Sequence, residues 1–142
     1  MFSEVYEDRL IKWKALRDTL ETSKDPLRDV VEAYSHAPVV HNKSINIWDN
    51  RTWRGPWELI QENGYTETCI ILGICYTLQL TERFSKNRFE IHIITEVEKQ
   101  ETFMLLSIGQ TFIQPMGKSI IQHNEAPGSW VPQKVYPMPA LH

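Results

Sequence analysis

Apolar residues in the first part of the chain recur at three- and four-residue steps. From Phe2 to Leu20 they fall on one face of a helix, so the pattern predicts an amphipathic first helix. Asp25-Pro26 marks the start of a second helix, because aspartate is favoured at the N-cap and proline at the first helical position. Pro38 ends that helix, and the mainly polar stretch after it predicts a long loop.

Two further helices are predicted in the middle of the chain. Gly55-Pro56 opens a short helix over residues 57–62. The next helix starts near Thr66 and runs to about Leu80, and its apolar residues lie on most of its sides. A helix that is apolar nearly all round is normally buried, so we expect this one at the centre of the domain.

In the second half of the chain the apolar period changes to two. Residues 89–93 alternate between apolar and polar side chains, which predicts a strand with one solvated face. Residues 102–108 form an apolar run of strand length that we expect to be buried on both faces, and a short strand follows at 111–114. The predicted fold class is α+β, with N-terminal helices and a buried central helix packed on a small antiparallel β-sheet.

The C-terminal segment carries prolines at a density that prevents helix and favours extended backbone. We therefore predict a single α+β domain over residues 1–118 and an extended, proline-rich C-terminal arm over residues 119–142. This segment is either a flexible end or a docking arm for a partner or a neighbouring copy, since a free tail seldom needs large aromatic residues. The candidate partner-binding residues of the arm are Trp130, Val131, Val135 and Tyr136.

Size and charge exclude several classes of function. The 142 residues suit one domain, and a formal net charge of −3 argues against nucleic acid as the main partner. The N-terminus shows no basic region followed by an apolar stretch, and the longest apolar run, residues 69–76, is too short to span a bilayer. We therefore expect a protein partner or a homo-oligomer, with no nucleic acid and no membrane.

The cysteines and histidines do not suggest a metal site. Cys69 and Cys75 lie six residues apart on one predicted helix and cannot form a disulfide there, which favours a reducing, cytoplasmic location. His36 and His41 are too loosely spaced across a proline for a metal pair. No glycine-rich phosphate loop occurs, so we predict no metal and no cofactor.

The stretch before the central helix carries a family resemblance. Residues 53–58 read Trp-Arg-Gly-Pro-Trp-Glu, residues 64–68 read Gly-Tyr-Thr-Glu-Thr, and the predicted strands follow over residues 89–114. This order resembles the bacterial transglutaminase-like cysteine peptidases. They carry a Trp, then Thr-Pro and a Glu, then Gly-Asp-Cys-Glu-Asp opening an apolar helix, with a second strand beginning near His and a third ending near Asp-Asn. The resemblance covers residues 48–117.

The resemblance implies a catalytic triad whose three positions are substituted in this sequence. The nucleophile position is Thr66, the histidine position falls near Glu101 or Thr102, and the acid position falls near Gln114. A threonine hydroxyl without a base is a poor nucleophile at neutral pH, whereas threonine is a good helix N-cap. The chain is therefore expected to be a degenerate, non-catalytic member that serves in protein binding or assembly. By analogy with small proteins of tailed-phage genomes, it would be a structural component of a virus particle.

A second hypothesis keeps an enzyme. A cysteine-dependent hydrolase or acyl transferase could use Cys69 as nucleophile and His92 as base. Cys69 lies one turn into an apolar helix, where a buried core cysteine is the simpler interpretation, because apolar neighbours raise a thiol pKa. His92 lies on the predicted solvated face of its strand, and the sequence places no carboxylate beside it.

Overall fold

A computed structural model describes residues 1–141, and its α+β architecture confirms the predicted fold class. The helices are α1 (Tyr6–Thr22), α2 (Pro26–Tyr34), α3 (Pro56–Glu62) and α4 (Glu67–Gln79). The strands are β1 (Phe89–Glu96), β2 (Glu101–Ile108), β3 (Thr111–Gln114), β4 (Ser119–Gln122) and β5 (Trp130–Pro137). They form one antiparallel sheet in the order β4-β3-β2-β1-β5, so the chain crosses from one edge of the sheet to the other between β4 and β5.

Helix α4 lies at the centre of the core, as the sequence predicts. Every residue from Thr68 to Gln79 is buried, because this helix contacts the other helices on one side and the sheet on the other. The backbone approaches Tyr34 of α2 most closely at Gly73, where an added Cβ would lie 2.5 Å from the tyrosine Cε1. Within residues 1–141 no helix is both long and apolar enough to cross a membrane.

One buried hydroxyl joins three helices. The Thr77 Oγ1 of α4 donates to the Gly73 carbonyl at 2.6 Å and lies 2.9 Å from the Trp13 Nε1 donor of α1. The Tyr34 hydroxyl of α2 lies 3.0 Å from the same oxygen, and burial raises the pKa of Tyr34, so this phenol stays a neutral donor. The polar groups of Trp13, Tyr34 and Thr77 are thus paired, which removes most of the cost of burying them.

Arg9 is a second buried polar contact and fixes α3 against the start of α1. Its Nε donates to the Ile60 carbonyl at 2.7 Å and its Nη2 to the Gln61 carbonyl at 3.0 Å. Its Nη1 donates to the carbonyls of Ser3 and Glu4 at 2.9 and 3.0 Å. Four backbone oxygens are therefore bound by one side chain that is 6% exposed.

The outer face of the sheet differs from the prediction. His92 points to that face, but its side chain is only 13% exposed and Nε2 lies 3.1 Å from Glu90 Oε1. The segment between β4 and β5 covers this face, where the ring of His123 stacks on Phe112 at 4.0 Å and its Nε2 lies 3.0 Å from the buried Ser107 hydroxyl. The prediction of a solvated face for β1 was therefore wrong, because the covering residues come from a remote part of the sequence.

His123 makes stability depend on pH. Burial, and then the neighbouring His92, lower the pKa of His123 below its ordinary value of 6.5, while Glu90 acts in the opposite direction. As pH falls through 6.5 the unfolded chain binds the proton before the folded chain does, so the free energy of unfolding should decrease until the pH passes the lowered pKa. Urea denaturation at a series of pH values from 8 to 5 measures this change in the free energy of unfolding.

The control for that prediction is a comparison of two histidine variants. His123→Gln keeps a hydrogen-bonding group near Ser107 but no titrating ring, so its free energy of unfolding should vary less with pH than that of the wild type. His41→Gln, at an exposed position, should leave the pH dependence unchanged. An equal pH dependence in the wild type and His123→Gln would show that His123 is not responsible.

The C-terminal segment is part of the sheet. Ser119–Gln122 pairs with β3, and Trp130–Pro137 pairs with β1, with a register shift opposite Ile93/Ile94. Tyr136 is buried and packs edge-on against Trp53, with ring centroids 4.7 Å apart. The segment over residues 119–142 was expected to form an extended arm. Its residues 130–137 are extended, but as strand β5 they are hydrogen-bonded to β1. His142 lies outside the described residues. The two prolines of β5, Pro132 and Pro137, are tolerated because β5 is an edge strand.

Candidate functional site

A cleft opens at the N-terminus of α4, between the start of β2 and the end of β3. It has a volume of about 270 Å³. Its walls come from the helix, from the two strands and from the turn that joins β3 to β4. The lining residues are Ile47, Glu67, Thr68, Ile71, Thr102, Phe103, Met104, Gln114, Pro115 and Met116. A hollow of about 410 Å³ adjoins it and shares Glu67, Thr68 and Met116 with it.

Thr66 caps α4 where the hollow meets the helix. Its Oγ1 accepts a hydrogen bond from the Cys69 N–H at 3.2 Å, so the capping role expected from the sequence is confirmed. The turn before it is held by Asn63, whose φ of 50° ends α3, and by Tyr65, whose N–H donates to the Pro38 carbonyl at 2.8 Å. Among residues 1–141 no histidine or carboxylate hydrogen-bonds to the Thr66 hydroxyl, so nothing there activates it as a nucleophile.

Thr102 and Gln114, to which the resemblance assigned the histidine and acid positions, line the same cleft. Thr102 stands at the start of β2, where its Oγ1 lies 3.1 Å from Thr95 Oγ1 of β1. Gln114 is the last residue of β3. The three positions assigned by resemblance, those of Thr66, Thr102 and Gln114, therefore border two hollows that meet at Glu67 and Thr68.

The charge of the site is simple. Among residues 1–141, Glu67 is the only charged residue that lines the cleft, and it is exposed. The hollow adds His41 and Lys43, but the Lys43 ammonium is paired with Glu62, which also contacts Arg54. Glu62 is partly buried, which by itself raises its pKa, yet these two cations hold that pKa below its usual value. The Glu67 carboxylate is thus the charge that the site offers to a ligand.

This arrangement of helix and sheet occurs in a solved structure. The calcium-bound form of Legionella pneumophila LapG matches with a TM-score of 0.68 and 16% sequence identity, over 91% of this chain and 74% of that one. The fold is transglutaminase-like. No protein-family model and no curated protein matches the sequence. At this level of identity the transglutaminase-like fold is what the likeness shows.

Calcium is present in the LapG structure, so the acidic and histidine residues of this chain are of interest. Within residues 1–141 no three side chains of histidine, cysteine, aspartate or glutamate are grouped so that they could hold a metal ion. Glu67 of the cleft is accompanied by hydroxyl, amide and apolar groups instead.

The pairing of Cys69 with His92 is contradicted. Cys69 is fully buried in the core between α4 and its neighbours, whereas His92 lies on the opposite, outer face of the sheet beside Phe112. The sheet itself separates the two side chains. His92 also has a carboxylate beside it, that of Glu90. Glu90 lies on the same face of the sheet because it is two positions away on the same strand. The other thiol, Cys75, is equally buried, and burial raises its pKa.

The motif residues before α4 have structural roles. Glu58 accepts the Gly55 N–H at 3.0 Å and so caps α3. The ring of Trp53 packs on Tyr136, and its Nε1 donates to the Asn46 carbonyl at 3.1 Å. This part of the chain therefore orients α4 and anchors β5, and it adds no side chain to the cleft.

Most of the residues that line the cleft, Ile47, Glu67 and Met116 among them, were not identified from the sequence. Ile47 and Met116 come from loops whose positions depend on the whole fold. Glu67 lies beside Thr66 in a motif that was noted, but its exposure at the junction of the two hollows follows only from the structure. A glutamate in the first turn of a helix is common because its charge interacts favourably with the helix dipole, so Glu67 carried no separate signal in the sequence.

Proposed function

We propose that this protein is a non-catalytic module of transglutaminase-like fold that binds another protein. The observation that supports it is Thr66, which stands at the N-terminus of α4 and whose hydroxyl is used as a helix cap. Both thiols of residues 1–141 are buried. Neither can reach a ligand in the cleft without opening the core.

Reaction with a thiol reagent tests the absence of catalysis. In the native protein, alkylation of Cys69 and Cys75 by iodoacetamide at pH 7 should be slow, since it requires local opening of α4. As a positive control, the thiol of Thr66→Cys should react roughly 100-fold faster or more, because it is accessible at a helix N-terminus. Peptide mass mapping identifies the labelled residue.

His92→Ala completes that experiment. It should leave the labelling rates of both native cysteines unchanged, because the sheet separates His92 from Cys69. Rapid labelling of Cys69 near neutral pH that is abolished by His92→Ala would support the cysteine-dependent hydrolase or acyl transferase and overturn the non-catalytic proposal.

Assembly through the C-terminal strand belongs to the same proposal. Of the four candidate residues, Val131 and Val135 are each 40% exposed and can contact a partner or a second copy directly. Trp130 is partly buried against Phe103, and Tyr136 is buried against Trp53. The strand is an edge of the sheet, so no strand of residues 1–141 pairs with its outer side. A place in a virus particle would be one form of such assembly.

Point variants test this surface, since deleting β5 would remove a strand of the sheet. The double variant Val131→Lys/Val135→Lys should reduce the mass in solution, measured by light scattering, or abolish capture of a partner from the native source. Val97→Lys, at an exposed turn position, is the matched control and should change neither. An unchanged mass and unchanged capture in the double variant would remove β5 from the proposal and leave the cleft as the binding surface.

A further inference from the structure

Strand β2 is paired along its whole length with β1 but along only part of its length with β3. Its β1 side is paired from Glu101 to Ile108. On the other side β3 reaches only Leu106, Ser107 and Ile108, because β3 ends at Gln114 and the chain turns away. Residues 102–105 therefore have no strand beside them on that side, and Thr102 to Met104 line the cleft. The sheet has an open edge inside the candidate site.

The backbone groups that face this edge follow from the turn between β2 and β3. Gly109, with φ of 55°, is the first residue of a two-residue turn, so the flanking pair Ile108 and Thr111 exchanges both ladder hydrogen bonds. Ladder bonds alternate along a strand, so Met104 and Thr102 direct their N–H and C=O groups away from β1 and toward the cleft. Within residues 1–141 no side chain or loop backbone hydrogen-bonds to these groups.

The side chains below the open edge suit an apolar residue and a cation. Ile71 and Met104 form an apolar floor next to Met116, which is 53% exposed. Glu67, the first residue of α4, lies below the same edge. Among residues 1–141 no Lys, Arg or His forms an ion pair with its carboxylate. In an extended segment, side chains two positions apart point to the same face, so two such residues can both face α4.

We infer that the cleft binds an extended segment of a partner protein as an added strand on the open edge of β2. The segment hydrogen-bonds to Thr102 and Met104 and places an apolar side chain on Ile71. A lysine or arginine two positions away faces Glu67. This inference rests on the proposed function, because it assigns the chemistry of the partner of the same non-catalytic site.

The test uses synthetic peptides and the isotopically labelled full chain. The probes are Ac-Thr-Val-Thr-Lys-Thr-NH2 and its reverse Ac-Thr-Lys-Thr-Val-Thr-NH2, since the strand direction is open. Addition of at least one of them should shift the backbone amide resonances of Thr102 and Met104 and of the first turn of α4. The same peptide with glutamate in place of lysine should bind roughly tenfold or more weakly, because its charge opposes Glu67.

Two controls separate strand addition from contact of other kinds. Methylation of alternate peptide nitrogens on the edge that faces β2 should abolish the shifts, whereas methylation on the other edge should not. Glu67→Gln should remove the preference for lysine over glutamate. Glu7→Gln, at an equivalent first-turn position of α1, should retain it.

Shifts confined to β5, or equal binding of the lysine and glutamate peptides to the wild type, would overturn the inference. So would an unchanged lysine preference in Glu67→Gln. These outcomes are distinct from failure of the proposed function, which is judged by thiol labelling and by the β5 variants. Slow alkylation of both cysteines together with no shift at β2 would reject this partner chemistry and leave the non-catalytic proposal standing.

Discussion

Gly73→Ala should lower the free energy of unfolding by about 2 kcal/mol or more, although alanine is the better helix former by roughly 1 kcal/mol. The added Cβ would lie 2.5 Å from Tyr34 Cε1 and 3.0 Å from its hydroxyl. Tyr34 cannot move aside easily, because its hydroxyl lies 3.0 Å from Thr77 Oγ1 and its ring contacts Phe2 and Tyr65. Overlap of this size in a packed core displaces side chains or the helix itself.

Urea denaturation followed by circular dichroism measures the loss. Gly128→Ala is the matched control and should change the free energy of unfolding by less than about 0.5 kcal/mol, since nothing lies within 4 Å of an added Cβ there. A second variant tests the cause. If the Tyr34 ring is responsible, Gly73→Ala should cost less in a Tyr34→Ala background than in the wild type. Equal costs in the two backgrounds would show that another neighbour sets the penalty.

Arg9→Met should cost about 2–4 kcal/mol of folding stability, because it leaves backbone carbonyls without donors inside the protein. Arg9 donates to four of them, in the last turn of α3 and just before α1. Methionine replaces most of the apolar stem of the side chain and none of its donors, so the loss reports the hydrogen bonds. Arg9→Lys should lie between the wild type and Arg9→Met, since one ammonium cannot reach two helices in the geometry of a planar guanidinium.

The control for this prediction is Arg28→Met. Arg28 makes one ion pair, with Asp25 at 3.0 Å, and its side chain is 73% exposed. Exposed pairs of this kind contribute roughly 0–1 kcal/mol, so Arg28→Met should differ little from the wild type. A cost for Arg9→Met as small as that for Arg28→Met would mean that water replaces the guanidinium at the four carbonyls.

The helical half of the fold could be predicted because its signals are local. Pro26 at the start of α2 and Thr66 at the cap of α4 are short-range features, and the structure has both where the sequence places them. Asp25 occupies the predicted N-cap position of α2, but its carboxylate accepts a hydrogen bond from Arg28 and not from the backbone of the helix. Phe2 continues the apolar period of α1 but lies before the helix, where it packs on Tyr34 and Tyr65.

The sheet was predicted only where its strands follow one another directly. β3 was identified with its observed limits, Thr111–Gln114. β4 and β5 were missed because the whole C-terminal segment was predicted to be an extended arm outside the domain. Proline is compatible with an edge strand, and which strand lies at an edge is a property of the whole sheet. The burial of His92 could not be predicted for a similar reason, because the residues that cover it lie some thirty positions later in the chain.

The positions of Thr66, Thr102 and Gln114 were assigned by the family resemblance and not by composition or spacing. All three border the two hollows. The open edge of β2 could not be predicted, because it arises from a difference in length between β2 and β3 that depends on where the chain turns at Pro115. The charge of the cleft needed the structure as well, since the pairing of Lys43 with Glu62 joins residues nineteen positions apart.

The pairing of β5 with β1 has a consequence for the order of folding. Strands β1 to β4 are joined by short turns, so their contacts close small loops, whereas β5 must return across the sheet to reach β1. Contacts between distant segments form later, because more chain entropy is lost before they are made. Until β5 arrives, the outer edge of β1 is unpaired and open to a strand from another molecule. The late step of folding is therefore the one at which aggregation competes, and conditions that slow the docking of β5 should favour it.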